Sequence, residues 1–281
     1  MSAASQLRTG RARRIDLDVD GHRVAALQSG SPSDVPVLLV PGYTGSKEDF
    51  GPILDPLADA GLHVTAIDLP GQLDSPGPAE PAGYQTERLA DVVRALARQL
   101  GSGTLLLGHS FGGLVARAAV LAEPSLARSL VLLCSGPAGI GGARRVAIDR
   151  FQPVLAATGL PGLWAAMQAA ARDDPRYVTP DPDVADFLER RFFAGSAAML
   201  QGMAEALRNE PDRVAELAAT GLPICVLHGV DDDAWPPAVQ HEMAVRLGAD
   251  YAVIPAAAHS PAVENPAGTV AALLTFWSAS R

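Results

Sequence analysis

Hydrophobic positions along this chain come in two kinds of run that alternate with each other. One kind is short and unbroken: residues 35–42, 62–69, 104–109, 129–136, 223–229 and 249–255. Strands covered by helices on both faces read this way, because neither side meets water, whereas half-exposed strands alternate. The other kind recurs at helical spacing. Over residues 84–100, Leu89, Val92, Val93, Leu96 and Leu100 share one stripe, which predicts an amphipathic helix. Further helices are expected at about 46–60, 111–122 and 237–247, and a last one presents Val270, Leu273, Leu274 and Trp277 on one face. Residues 15–27 alternate instead: Ile15, Leu17 and Val19 are spaced by polar residues, and Asp20-Gly21 supplies a turn, so a hairpin is predicted.

The alternation stops after Gly136 and resumes near residue 221. Between them lie helical pieces separated by Pro153, Pro161, Pro175, Pro180, Pro182 and Pro211, without a convincing strand. Strand–helix alternation with buried-type strands predicts an α/β fold, a mostly parallel sheet of about eight strands with helices on both faces. Residues 15–136 and 221–281 would form the core and 137–220 a helical insertion. Ligands of open α/β sheets bind at the carboxyl ends of the strands, so an insertion leaving from such an end would cover the site as a lid. Residues 1–14, with Arg8, Arg11, Arg13 and Arg14, are expected to form a mobile tail.

Composition narrows the function. Hydrophobic residues are 48% of the chain but aromatics only 5%, so Ala, Val and Leu must build the core. The formal net charge of −9 is opposite to what a nucleic-acid-binding face needs. No apolar run approaches the roughly 18 residues of a membrane span, and no apolar N-terminal stretch resembles a signal peptide. A cytoplasmic enzyme with neither membrane nor nucleic-acid partner is the expectation. Cys134 and Cys225 sit in apolar strand-like runs without metal-ligand spacing, which predicts buried reduced thiols and no metal or cofactor.

The chemistry centres on residues 105–113, Leu-Leu-Leu-Gly-His-Ser-Phe-Gly-Gly. Gly108-His109-Ser110-Phe111-Gly112 has the Gly-x-Ser-x-Gly pattern, preceded by an apolar strand and followed by a helical pattern. A chain that reverses from strand to helix this sharply puts the serine under strain, and glycines at 108 and 112 avoid clashes across the turn. Ser110 would project into the crevice, with the Phe111 N–H beside it at a helix N-terminus, ready to hold an oxyanion. A serine hydroxyl needs a base. Of six histidines, His22, His63, His228 and His241 belong to strand ends or a helix surface, and His109 is held within the turn. His259, in the loop after the last strand, opens at the carboxyl end of the sheet. Asp231, Asp232 and Asp233 open at the same end after Gly229, and periodicity does not choose among them.

This set resembles the α/β-hydrolase superfamily from about residue 15 onward, in the chain order serine, acid, histidine. The resemblance implies Asp232 as the acid, three residues after Gly229 with Pro236 four residues later. It also implies an oxyanion loop at Pro41-Gly42-Tyr43, with Tyr43 as second backbone donor and Pro41 where relatives usually carry histidine. The Asp68–Gln72 turn and Ser75 are similar to another family signature, with Leu73 in place of its second glycine, and read as support for the site. An elbow serine argues against epoxide hydrolase and haloalkane dehalogenase chemistry. Trp164, Met167, Phe187, Phe192, Phe193, Met199 and Met203 are either plain core or a pocket lining. Trp164 and Trp235 are the aromatic candidates for substrate contact. The expectation is a cofactor-free serine hydrolase cleaving an ester or related acyl bond of a small molecule, as a monomer or a homo-oligomer. Its alternatives are a lyase, a carbon–carbon hydrolase or a perhydrolase on the same scaffold, or a ligand-binding protein with vestigial hydrolysis.

Overall fold

The computed structural model describes residues 7–173 and 177–279. The predicted hairpin is β1 (Arg13–Val19) and β2 (His22–Ser29), turned through Asp20 and Gly21, both at positive φ. Then follow β3 (Val35–Val40), α1 (Gly51–Asp59) entered through a turn of 3-10 helix at Lys47–Phe50, β4 (Leu62–Ile67), α2 (Thr86–Leu100), β5 (Thr104–His109) and α3 (Phe111–Ala122). β6 (Ala127–Leu133) leads into four helices: α4 (Gly142–Arg172), α5 (Pro182–Ala194), α6 (Ala197–Asn209) and α7 (Val214–Ala218). The core resumes with β7 (Ile224–Gly229), α8 (Pro237–Leu247), β8 (Asp250–Ile254), α9 (Pro261–Glu264) and α10 (Pro266–Ala279).

The eight strands form one sheet in the order β1-β2-β4-β3-β5-β6-β7-β8. β2 alone runs against its neighbours, since the tight turn that reverses the chain before it is balanced by a second reversal after it. β3 to β8 are parallel, and the central strands β4, β5 and β7 are buried at every position. Their unbroken apolar runs follow from cover on both faces. On one face Leu89 and Val93 of α2 and Leu114 and Val115 of α3 pack onto the sheet. On the other, Ile53 and Leu54 of α1 join Leu273 and Trp277 of α10. Fully burying side chains of this size contributes roughly 1.5–3 kcal/mol each.

Three expectations are corrected. The stretch expected to be a mobile tail already carries structure: β1 starts at Arg13, and before it the Arg11 amide donates to Asp55 Oδ2 at 2.8 Å. The register of Arg13 and Arg14 against Gln28 and Leu27 extends the hairpin two residues further than alternation suggested. Residues 1–6 of that stretch lie outside the described residues, as does Pro175. The insertion's first helix also runs through Pro153 and Pro161, where breaks were expected. By length and composition it could cross a membrane, contrary to the expectation that no run comes close. Its geometry is that of two helices in series, because Gly159 at φ 66° bends the chain between them. Pro161 follows that bend at the start of the second half, where a proline's missing N–H costs nothing.

A buried ion pair ties the stem of the insertion to the core. Arg117 of α3, 1% exposed, donates to Glu210 Oε1 at 2.8 Å and to the carbonyls of Pro137 and Pro211. Thr86 of α2 donates to the other Glu210 oxygen at 2.8 Å. The outgoing and returning strands of chain meet there, with Gly139 N–H on the Glu210 carbonyl and Ile140 N–H on that of Leu207, each at 2.8 Å.

Candidate active site

Ser110 sits between β5 and α3 with φ 55° and ψ −121°, a conformation non-glycine residues rarely adopt. Its N–H is anchored on the Leu133 carbonyl of β6 at 2.9 Å. The flanking glycines make the turn feasible in two different ways. A Cβ on Gly108 would lie 2.3 Å from the Gly112 carbonyl oxygen, across the turn as expected. A Cβ on Gly112 would instead lie 2.4 Å from the carbonyl oxygens of Val40 and Pro41, so this glycine lets α3 approach β3. The result pushes Ser110 Oγ out at the carboxyl end of the sheet.

The loop after β8 brings His259 to it. His259 Nε2 lies 3.0 Å from Ser110 Oγ, and Nδ1 lies 2.8 Å from Asp232 Oδ1. Both distances fit one tautomer: Nδ1–H donates to the carboxylate, and Nε2 accepts from the hydroxyl. Asp232 comes from the loop after β7 and is buried, while Asp231 and Asp233 beside it are exposed. Its carboxylate also accepts from the Ala234 N–H at 3.0 Å and from Gln240 Nε2 at 2.7 Å. Burial pushes this carboxyl up, but the hydrogen bond and charge of His259, with the Ala234 and Gln240 donors, outweigh burial and hold it below the usual carboxylate range.

Each expected oxyanion donor is near Ser110. Phe111 is the first residue of α3, so its N–H has no partner within the helix. Gly42 lies so close that a Cβ there would be 3.2 Å from that of Ser110, which puts the Gly42–Tyr43 loop at the same point. Among the described residues no backbone acceptor takes the N–H of Tyr43 or Phe111. The loop lacks the usual histidine at 41, and Gln72 braces it instead. Gln72 Nε2 donates to the carbonyls of Gly42 at 2.6 Å and Tyr43 at 3.3 Å. The turn that carries Gln72 is held by Ser75 and by Asp68, which accepts at 2.8 Å from both the backbone N–H and the buried ammonium of Lys47. Leu73, standing where relatives carry a glycine, takes φ 33°. The Tyr43 phenol donates to the Leu200 carbonyl at 2.7 Å, linking this loop to the insertion.

Three further residues support the base, and their types alone did not reveal it. His109, expected to be confined to the turn, reaches across it: Nε2 lies 2.6 Å from the His259 carbonyl oxygen and donates to it. Burial, and then the neighbouring His259, push the His109 imidazole down to about 4, so it is neutral at physiological pH. Glu264 accepts from the amides of Ala258 at 2.6 Å and Ser260 at 3.2 Å, fixing the loop on the other side of the base. Cys134 lies under the loop with its thiol pointing at the Ala258 carbonyl, 3.7 Å away, and burial pushes that thiol well up. Ligand-type atoms of His109, Cys134 and His259 lie within 4.8 Å of one another, as in a metal site. The thiol is held protonated, and both nitrogens of His259 face hydrogen-bond partners, so the cluster is built to orient an imidazole.

A cavity of about 1130 Å³ opens above Ser110, between these loops and the insertion. Neither tryptophan proposed for substrate contact lines it. Trp164 stacks on Phe192 and Phe193 with ring centroids 4.9 and 6.0 Å away, inside the insertion's own packing. Trp235 is 3% exposed, donates to the Ala138 carbonyl at 3.2 Å, and lies flat where a Cβ on Gly136 would be. Both serve the insertion's stem and interior. Of the other apolar candidates, Met167 and Phe192 do line the cavity.

Comparison with known proteins places this geometry in context. The family model described as "Alpha/beta hydrolase family" matches residues 37–273. A pimeloyl-[acyl-carrier protein] methyl ester esterase of Neisseria meningitidis is 30% identical over 238 residues, covering 80% of this chain and 71% of its own. A 2-succinyl-6-hydroxy-2,4-cyclohexadiene-1-carboxylate synthase of Escherichia coli is 27% identical, covering 89% and 96% respectively. Among solved structures, one from a study of carboxylesterases of the thaumarchaeon Nitrososphaera gargenis superposes with a TM-score of 0.80 at 21% identity, covering 95% of this chain and 98% of the other. A thermophilic esterase from Thermogutta terrifontis gives 0.77 at 22% identity, covering 96% and 99%.

Proposed function

The chain belongs to the alpha/beta hydrolase family and is an ester-acting enzyme of that fold, and we propose that it hydrolyses carboxylic esters of small molecules through an acyl-enzyme on Ser110. One observation carries this reading: Ser110 Oγ, His259 and Asp232 form an unbroken hydrogen-bonded line at the floor of a cavity. Beside it lie two main-chain amides with no backbone acceptor among the described residues.

The reaction follows from the geometry. Ser110 Oγ attacks the ester carbonyl carbon as its proton passes to His259 Nε2, and the ionised Asp232 steadies the imidazolium that forms. The Tyr43 and Phe111 N–H groups hold the oxygen that becomes negative. Their strength comes from being fixed in place before charge develops. The carbonyl re-forms, the alkoxide leaves with the proton held on Nε2, and Ser110 is acylated. Water then gives a proton to the same nitrogen, attacks the acyl carbon and releases the acid. The helical insertion acts as a lid that shields these steps from bulk water.

Support for ester cleavage comes from the esterase among the relatives and from the esterases that share the fold. The synthase among the relatives favours a second reading, in which His259 removes a proton from a bound substrate and no acyl-enzyme forms. Labelling separates the two. The esterase reading expects Ser110→Ala to abolish turnover of p-nitrophenyl esters and covalent capture by a fluorophosphonate, with the circular dichroism spectrum unchanged. Ester turnover undiminished in that variant would rule it out.

A further inference from the structure

The cavity's charges point to the kind of ester it takes. Its volume, about 1130 Å³, lies just above the roughly 300–1,000 Å³ usual for small-molecule sites, so a bulky or extended substrate fits. Ile148, Phe151, Leu163, Met167, Phe192 and Leu200 give it an apolar roof drawn from three helices of the insertion. Among the described residues two cations line it, and each is already engaged. Arg191 donates to Asp49 Oδ1 at 2.6 Å on one side. Arg144 donates to Asp233 Oδ1 at 2.7 Å on the other. Two further acids of the lining, Asp231 and Glu264, have no cationic partner among the described residues. Apart from the Asp232–His259 pair, the described lining residues carry more negative than positive charge, in a chain whose formal net charge is −9.

From this pattern, and resting on the esterase reading above, we propose that the substrate is an uncharged ester with a long or bulky apolar body, and that the site rejects an acyl chain ending in a carboxylate. Such a chain would leave water for an apolar roof, find both guanidinium groups occupied, and approach a mouth of its own sign. An uncharged ester meets none of these costs and gains from burial under the roof. Discrimination of this kind lies in the charges around the cavity, so it is separable from the chemistry at Ser110.

The test compares two esters of one length at pH 8: p-nitrophenyl octanoate and the mono-p-nitrophenyl ester of octanedioic acid, which ends in a carboxylate. The wild-type enzyme is expected to give a kcat/KM at least about tenfold higher for the octanoate. That ratio should shrink as salt is raised from about 0.02 to about 0.5 M, because the repulsion is screened. Asp233→Asn removes one surface carboxylate and frees Arg144, and should lower the ratio severalfold at low salt. Equal or faster cleavage of the charged ester by wild type, abolished in Ser110→Ala, would overturn the charge inference and leave the esterase reading standing. An unchanged ratio in Asp233→Asn would overturn the assignment of rejection to the occupied arginine. Failure to cleave any ester, or cleavage surviving Ser110→Ala, would instead sink the esterase reading itself.

Discussion

At the scale of single residues, the proposed mechanism separates groups that do chemistry from groups that aim them. Asp232 orients the His259 ring, so Asp232→Asn should cut kcat by roughly 10³-fold or more while leaving KM within about threefold, since tautomer control acts on the transition state. Steady-state kinetics would check this, and a loss confined to KM would contradict the assigned role. His109 aims the same ring through its backbone. Replacing it with Phe removes the donor to the His259 carbonyl and should lower kcat of the order of ten- to a hundredfold. His109→Gln, which keeps an amide donor, should recover part of that loss. His109 also makes stability depend on pH. Its ordinary value is 6.5 and burial depresses it to about 4. Between those values the unfolded chain binds the proton that the folded chain refuses, so stability present above about pH 6.5 is lost as pH falls toward 4. Urea unfolding should show a shallower acid decline in His109→Gln than in wild type, and superimposable curves would refute the linkage. Much of this layer was readable in the chain. A strand–Gly-x-Ser-x-Gly–helix sequence and one loop histidine at the right end of the sheet single out Ser110 and His259. The Asp68–Gln72 turn was read as support, and Gln72 does brace the Gly42–Tyr43 loop. The support from Gln240 and Glu264 was not readable, because a glutamine or glutamate outside a motif looks the same whether it braces a site or faces solvent.

At the scale of elements, the unbroken apolar runs placed the strands within a few residues, since cover on both faces leaves a strong compositional mark. One boundary drifted where the backbone turns: Ser135 and Gly136 continue the apolar pattern of β6, yet Cys134 takes φ 50° and the strand ends at Leu133. The long first helix of the insertion was illegible because Pro153 and Pro161 read as breaks; the bend at Gly159 puts Pro161 at the start of a second half, while Pro153 lies inside the first. Trp235 was misjudged because its burial depends on where the insertion leaves the core, beside Gly136. The Arg117–Glu210 pair beneath that stem makes a prediction of its own. Glu210→Gln leaves the guanidinium of Arg117, whose side chain is 2% exposed, short of its counter-charge, which should cost about 3–5 kcal/mol and lower the melting temperature by several degrees or more. A change below about 1 kcal/mol would mean that the pair is not what holds the stem.

At the scale of the whole molecule, the proposed catalytic groups come from the ends of β5, β7 and β8, while the roof of the cavity comes from elsewhere in the chain. Leu163→Trp, which adds bulk to that roof, is therefore expected to shift the preferred p-nitrophenyl ester to a shorter chain with little loss of rate on the acetate. A matched fall across all chain lengths would show that the roof and the catalytic floor are not independent. The strand order was not written in any local pattern. It follows from packing that brings distant segments together, with β3 between β4 and β5 although both come later in the chain. The helices between β6 and β7 enter and leave through neighbouring positions, where Gly139 and Ile140 pair with Glu210 and Leu207. A segment whose two ends meet is an interchangeable part: it can be swapped for another of different shape, by recombination in nature or by grafting in the laboratory, and the reaction carried over unaltered to new molecules.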